Sequence, residues 1–254
     1  MNNEYLADTH FHLDLSEDID KILKEAKEND VKNFIISGCD LKGIEEGIEI
    51  INKYEDIYLT IGIHPDEIKD FNETTISYLE ELIKNNKKII GIGEIGLDYY
   101  HNKENKEEQK RMFKLQLDLA QKLNLPVVIH SRDAFKDTYD ILKEYKLKGT
   151  IHCFTGTLEC AKMYISLGYL LGIGGVSTYK NTNLTSVLEE IDIENIVFET
   201  DSPYLTPEPI RTEINGPKNI SIICDNLCKI KKMNRKDVIK ITTNNVIKNY
   251  SRIK

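Results

Sequence analysis

The sequence predicts an α/β protein folded as a single (β/α)8 barrel of the TIM type. Three observations lead there. The chain has 254 residues, and barrels of this class run to roughly 250. Short apolar runs alternate with longer amphipathic ones from one end to the other, the pattern of parallel strands joined by crossover helices. No linker, low-complexity tract or internal repeat breaks the alternation, so residues 1–254 read as one domain. A doubly wound open sheet is the competing layout for the same pattern.

The elements follow in order. Tyr5–Asp8 is the first strand candidate. Ser16 is placed to cap a helix with Glu17 and Asp18 in its first turn, setting Ile19, Ile22, Leu23 and Ala26 on one face. Asn33–Ser37, Ile57–Ile63 and Ile89–Gly93 are the next strands, each β-branched or mixed apolar. Glu104–Leu123 is a long helix with Phe113, Leu117, Ala120 and Leu123 on one stripe, and Pro126 follows its end. Pro126–Ile129, Thr150–Ile151, Tyr169–Ile173 and Asn195–Phe198 complete the eight strands. Asp133–Tyr145, Leu158–Leu167 and Thr182–Glu190 are the helices between them. Pro217–Ile230 and Arg235–Tyr250 close the chain.

Composition bounds the function. Hydrophobic residues at 40% and charged residues at 30% are those of a globular enzyme. The absence of Trp and abundance of Lys, Asn and Ile read as a genomic bias. A formal net charge of -8 does not provide the basic face that coats nucleic acid, which argues against a packaging or repressor role. A nucleic-acid enzyme stays open, because bound metal ions can carry the local positive charge. The five cysteines, with no C-x-x-C pair, fit reduced thiols of a cytoplasmic protein. Met1 to Tyr5 lead straight into a strand-like run, so no signal peptide is expected. The apolar runs fall far short of a membrane span. No obligatory protein partner is evident, and the oligomeric state stays open.

Five of the six histidines stand at or just after a strand end. His10 and His12 follow the first strand, His64 the third, His130 the fifth and His152 the sixth. Glu94 follows the fourth and Asp201 the eighth. In a barrel the carboxyl ends of the strands share one rim, where active sites lie. The His10-x-His12 spacing points two imidazoles to one side. A single His at a strand end is most often a hydrogen-bonded structural residue, but five at one rim with two acids supply enough ligands for two metal ions. Such a set suits Zn²⁺ or Mn²⁺, and Mg²⁺ when water and substrate oxygens complete the shell.

Other residues have blander readings. His101 falls in a charged stretch and reads as solvated and without a role. Cys153 reads as a small buried thiol rather than a ligand, and Cys224 and Cys228, four apart on a helix, as inward-packing. Glu199 rivals Asp201, but its position inside a strand points to support of a ligand or to the barrel core. Asp8 either orients a histidine or ends a strand.

Six segments together carry a resemblance. Asp8-Thr9-His10-Phe11-His12-Leu13, Gly62-Ile63-His64-Pro65, Gly93-Glu94-Ile95-Gly96-Leu97-Asp98-Tyr99, Pro126-Val127-Val128-Ile129-His130-Ser131-Arg132, His152-Cys153-Phe154-Thr155-Gly156 and Glu199-Thr200-Asp201-Ser202-Pro203-Tyr204-Leu205 resemble the TatD-type metal-dependent deoxyribonucleases in order and spacing. The resemblance implies a two-metal site: His10, His12, Glu94 and Asp201 on one ion, with Glu94 bridging to a second that His130 and His152 complete. It implies that His64 contacts a substrate phosphate or a further metal. It also implies hydrolysis of DNA, often exonucleolytic, supported by Mg²⁺ or Mn²⁺. Many sister amidohydrolases bridge their metals with a carboxylated lysine; Glu94 in that place favours the phosphodiesterase branch. One departure is Thr212, which stands after Pro207-Glu208-Pro209-Ile210-Arg211 where the family commonly has Gly.

The expected chemistry is a phosphodiester clamped between two cations. Glu94 and Asp201 are the candidate catalytic residues, Asp201 also as acceptor of the water's proton. Arg132 and Arg211 are candidates to grip phosphate oxygens. Tyr99 and Phe154 are candidates to stack on a base, with core packing the default for Phe154. Rival readings are hydrolysis of another ester or an amide, such as D-aminoacyl-tRNA, and a non-enzymatic metal-stabilised scaffold.

Overall fold

Eight strands form one parallel sheet in the order β1 to β8, each paired with the next in sequence. They are β1 (Leu6–Phe11), β2 (Val31–Gly38), β3 (Ile57–Ile61), β4 (Ile89–Asp98), β5 (Val127–Arg132), β6 (Gly149–Ile151), β7 (Tyr169–Ile173) and β8 (Ile196–Phe198). Our computed structural model describes residues 5–13 and 15–253. The loop after β8 returns to β1 through three contacts: His12 N–H donates to Ser202 O, Asp201 N–H to His10 O, and Thr200 N–H to Asp8 Oδ1. The barrel expected from the sequence is therefore the one observed, and the open sheet is not.

Nine helices pack outside among the described residues: α1 (Ile19–Lys27), α2 (Leu41–Lys53), α3 (Glu73–Asn85), α4 (Lys106–Leu123), α5 (Phe135–Leu142), α6 (Leu158–Ser166), α7 (Leu184–Glu190), α8 (Ile220–Lys231) and α9 (Arg235–Asn249). The sequence reading missed α2 and α3. Their starts are locally encoded, because Asp40 accepts the Gly43 N–H and Asn72 forms a reciprocal cap with Thr75. The cap of α1 is Asp18, which accepts the Lys21 N–H, and not Ser16. α4 ends where Asn124 takes a left-handed conformation with φ 52°, which Asn tolerates better than most residues.

Alternation along the strands divides the core. Phe34, Ile36, Leu59, Ile92, Leu117 and Ile223 belong to the cluster between sheet and helices. Their strand neighbours Ala7, Ile35, Tyr58, Ile90, Val128 and Val197 form a second cluster with Val246, Tyr250 and Ile253. Period-two geometry sends that second set to the barrel interior, so the end of the chain plugs the barrel floor. Burying the Tyr250 ring there, fully shielded, makes truncation to Ala cost about 3–5 kcal/mol.

Strand limits differ at the rim, where they matter. β4 runs five residues past the expected end and β5 three. His10, Glu94 and His130 therefore lie within strands, held by the ladder rather than by loops.

Candidate metal centre

The sequence-predicted residues meet in one place at the carboxyl end of the barrel. The rings of His10 and His152 stack with centroids 3.7 Å apart, His10 and His12 lie 5.1 Å apart, and His64 and His130 lie 4.5 Å apart. Glu94 sits among them. Its Oε1 is 2.8 Å from His130 Nδ1, 3.7 Å from His64 Nε2 and 3.7 Å from His152 Nε2. Its Oε2 is 3.4 Å from His10 Nε2. Asp201 Oδ1 lies 3.4 Å from His12 Nε2 and 3.7 Å from both His10 Nε2 and His152 Nε2. Glu94 Oε1 and Asp201 Oδ1 thus each face ring nitrogens from several strands.

Backbone details aim these groups. Asp201 and Cys153 have φ of 54° and 45°, a region non-glycine residues seldom occupy and one that recurs at functional sites. At Gly96 a Cβ would overlap the His130 carbonyl, so only Gly lets β4 and β5 run this close beside the site. At Gly172 a Cβ would overlap the Glu199 carboxylate; the glycine on β7 makes room for that acid.

Two acids support the histidines from behind. Glu199 Oε1 lies 3.0 Å from His152 Nδ1 and accepts the Cys153 N–H at 2.5 Å, which matches a supporting role. Asp98 Oδ2 lies 3.1 Å from His130 Nε2 and 2.9 Å from His101 Nδ1. His101 is exposed, as the charged stretch around it implies, and its ring turns back three residues to the buried Asp98 carboxylate. Asp98 itself went unassigned in the sequence, although its place two steps of two beyond Glu94 on one strand was a signal. Asp8 touches no imidazole ring. It accepts the Thr200 N–H at 2.9 Å and lies 2.5 Å from Thr200 Oγ1, joining the first and last strands.

The electrostatics of the cluster call for cations. Burial is the largest influence on Glu94 and pushes its pKa upward, yet His152, His10 and His130 outweigh it and hold the carboxyl well below its usual range. Burial alone would lower the histidines. Glu199, Glu94 and Asp201 nonetheless push His152 up to about 10, and Asp98 and Glu94 push His130 up to about 9. Among the described residues, no Lys or Arg forms an ion pair with Glu94 or Asp201. His10 is buried with neither ring nitrogen hydrogen-bonded, an orphaned polar ring that a ligated cation would satisfy. The donor set is imidazole and carboxylate, the chemistry of divalent transition metals and of Mg²⁺.

Three clusters of three could hold an ion here: His10 with His12 and Glu94, His10 with His152 and Asp201, and His64 with Glu94 and His130. Glu94 belongs to two of them. His64, expected to touch substrate, has the geometry of a potential ligand as well. Two other clusters are His152–Cys153–Glu199 and Asp66–Asp98–His101.

The remaining candidates fall around the rim. The exposed Arg132 guanidinium lies 4.3 Å from the Tyr100 ring centroid, and the exposed Arg211 guanidinium 3.7 Å from that of Tyr179. Tyr99 is buried and its hydroxyl donates to Asp137, and Phe154 is 5% exposed. Neither offers a ring face to substrate; the exposed aromatics are Tyr100 and Tyr204. Thr212 is not among the described residues with positive φ, so its place in the loop needs no glycine. Cys224 is buried and Cys228 partly so, as expected.

Comparison with known proteins gives the family and agrees with the fold. A family described as TatD related DNase matches residues 7–251. The metal-dependent hydrolase YabD of Bacillus subtilis (strain 168) is 36% identical over 247 residues, covering 94% of this chain and 96% of YabD. MJ1582 of Methanocaldococcus jannaschii, also described as a metal-dependent hydrolase, is 34% identical, covering 99% of each chain. Among solved structures, a TatD family hydrolase from Entamoeba histolytica superposes with a TM-score of 0.87 at 28% identity, covering 98% of this chain and 99% of that one. The YJJV TatD homologue of Escherichia coli K12 superposes with a TM-score of 0.93 at 24% identity over 98% and 99%, a likeness of fold.

Proposed function

Since the chain belongs to the TatD family of metal-dependent hydrolases, we propose that it hydrolyses phosphodiester bonds in DNA, from strand ends, with two divalent cations held about Glu94. The observation that carries this reading is the split of Glu94: one oxygen faces His130, His64 and His152, and the other faces His10. A carboxylate with imidazole on each side is suited to being shared. In this reading His10, His12 and Asp201 would hold one ion and His130 and His152 the other, with Glu94 available to both. Mg²⁺ or Mn²⁺ suits such a site, and Zn²⁺ is compatible with its ligands.

The cations supply Lewis acidity and offset the charge of a phosphodiester. The protein supplies position. Asp201, 14% exposed at its side chain, is the acid most open to the bowl and accepts the proton of the attacking water. Glu199 and Asp98 keep His152 and His130 aimed. His64, Arg132 and Arg211 ring the approach, and their donors suit the non-bridging oxygens of a phosphate. No described helix is long and apolar enough to cross a membrane, and five free thiols fit the reducing cytoplasm.

The test is digestion of end-labelled single- and double-stranded DNA across a titration of Mg²⁺ and Mn²⁺, with charged tRNA and simple amides in parallel. Metal-dependent shortening from one end is expected. Turnover of the ester or amide substrates with intact DNA would overturn the assignment.

A further inference from the structure

Glu94 and Asp98 lie four apart on β4 and so point to the same side of the strand. Gly96 stands between them and pairs with His130 on β5. The imidazole of His130 is therefore straddled, with Nδ1 at 2.8 Å from Glu94 Oε1 and Nε2 at 3.1 Å from Asp98 Oδ2. The Asp98 carboxylate is itself fixed. Its Oδ1 accepts the N–H groups of Tyr100 and His101 at 2.9 and 2.8 Å, and its Oδ2 also faces His101 Nδ1 at 2.9 Å. Gln109, fully buried, accepts the Asp98 N–H and donates to the Asp98 and Asn102 carbonyls.

We infer that Asp98 is a positioning residue that sets the tautomer of His130, holding the proton on Nε2 so that the Nδ1 lone pair faces Glu94 and a shared cation, with His101 as the outer clamp on the same carboxylate. This rests on the two-cation reading above. Both ring nitrogens face a carboxylate, so the metal-free imidazole holds a hydrogen on each; a cation at Glu94 would displace the one on Nδ1, and Asp98, whose carboxylate can only accept, would keep the one on Nε2.

Replacement by Asn makes the inference sharp. The two backbone N–H groups on Oδ1 keep an oxygen in that place. In Asp98→Asn the amide NH₂ then falls where Oδ2 was, facing His130 Nε2. A donor there favours the reverse tautomer, with hydrogen on Nδ1 and the lone pair turned away from Glu94.

Two measurements decide it. In calorimetric titration with Mn²⁺, wild-type protein takes up two ions, and in Asp98→Asn one of the two dissociation constants rises about 10- to 100-fold while the other stays. Two unchanged constants would sink the role of Asp98 and leave the metal centre standing; wild-type protein that takes up no ion would bring down the two-cation reading and this inference together. The second measurement needs no variant. Imidazole ¹⁵N spectra of Mg²⁺-loaded wild-type protein should place the His130 hydrogen on Nε2, and a hydrogen on Nδ1 overturns the inference.

Discussion

Glu199 Oε1 lies 3.0 Å from His152 Nδ1, with the acid fully buried at the end of β8 and the imidazole just past β6. The contact exists because β7, between them, carries Gly172 at the point where any side chain would strike the carboxylate. Loss of the acid charge in Glu199→Gln should weaken cation binding and turnover about 10- to 100-fold with the circular dichroism spectrum unchanged. Gly172→Ala, a change on another strand, should reproduce the defect by pushing Glu199 aside. Full activity in Gly172→Ala would show that the carboxylate does not need its observed place.

Glu94 is the acid at the centre of the imidazole cluster. Glu94→Ala should keep the fold, since the barrel walls are apolar, and should lower turnover by at least about 100-fold. Near-wild-type turnover would remove it from any bridging role.

Cation uptake should be linked to proton release. His152 and His130 are pushed up to about 10 and about 9, so both carry an extra proton at pH 7 in protein free of metal. An incoming cation must displace those protons, because a ligating imidazole is neutral. Apparent affinity should therefore rise with pH, by about tenfold per unit for each proton displaced, and level off above pH 9 to 10. Titration in buffers of different ionisation heat measures the protons directly. A flat affinity between pH 6 and 9 would contradict it.

Asp8 makes the opposite contribution to stability. Burial pushes its carboxyl from 3.8 up to about 8, against hydrogen bonds from Thr200 that lower it. A raised acid favours its protonated form in the folded state, so its support is full below pH 3.8. As pH climbs from there toward 8, the unfolded chain sheds a proton that the folded chain keeps, and stability declines. Asp8→Asn should flatten that decline in metal-free protein, read as melting temperature against pH under chelation. Parallel curves for the variant and the wild type would exclude Asp8 as the source.

The rim arginines should act on binding more than on chemistry. Arg211 stacks on Tyr179 and reaches the solvent, so Arg211→Ala should raise KM for DNA several-fold with a smaller change in kcat. The reverse split would move Arg211 into the reacting centre.

The barrel and its candidate ligands are legible because both leave period-bound marks. Apolar runs give the strands, and a histidine or acid at a run's end gives the rim. The helices α2 and α3 are harder to read because Gly43 and Gly47 weaken the helical signal of α2 and the first turn of α3 is polar. Asp98 and His101 were missed for another reason. Their part in the site depends on which oxygen of Asp98 faces which ring, and that follows from Gly96 drawing β4 against β5. Tyr99 reads as the stacking candidate where Tyr100 is the exposed ring; both follow β4 in a turn, where no strand period fixes which ring faces solvent.

The meeting of His10 and His12 with Asp201 has a bearing on biosynthesis. These three come from opposite ends of the chain and are joined through main-chain bonds between residues 10 and 201 and between 12 and 202. A ribosome-bound chain that has released only its first half carries His10, His12, His64 and Glu94 but not His130, His152 or Asp201. Assembly of the site therefore comes late, after residues 10 and 201 have paired across most of the sequence, and a chain cut before residue 201 lacks one of its acids.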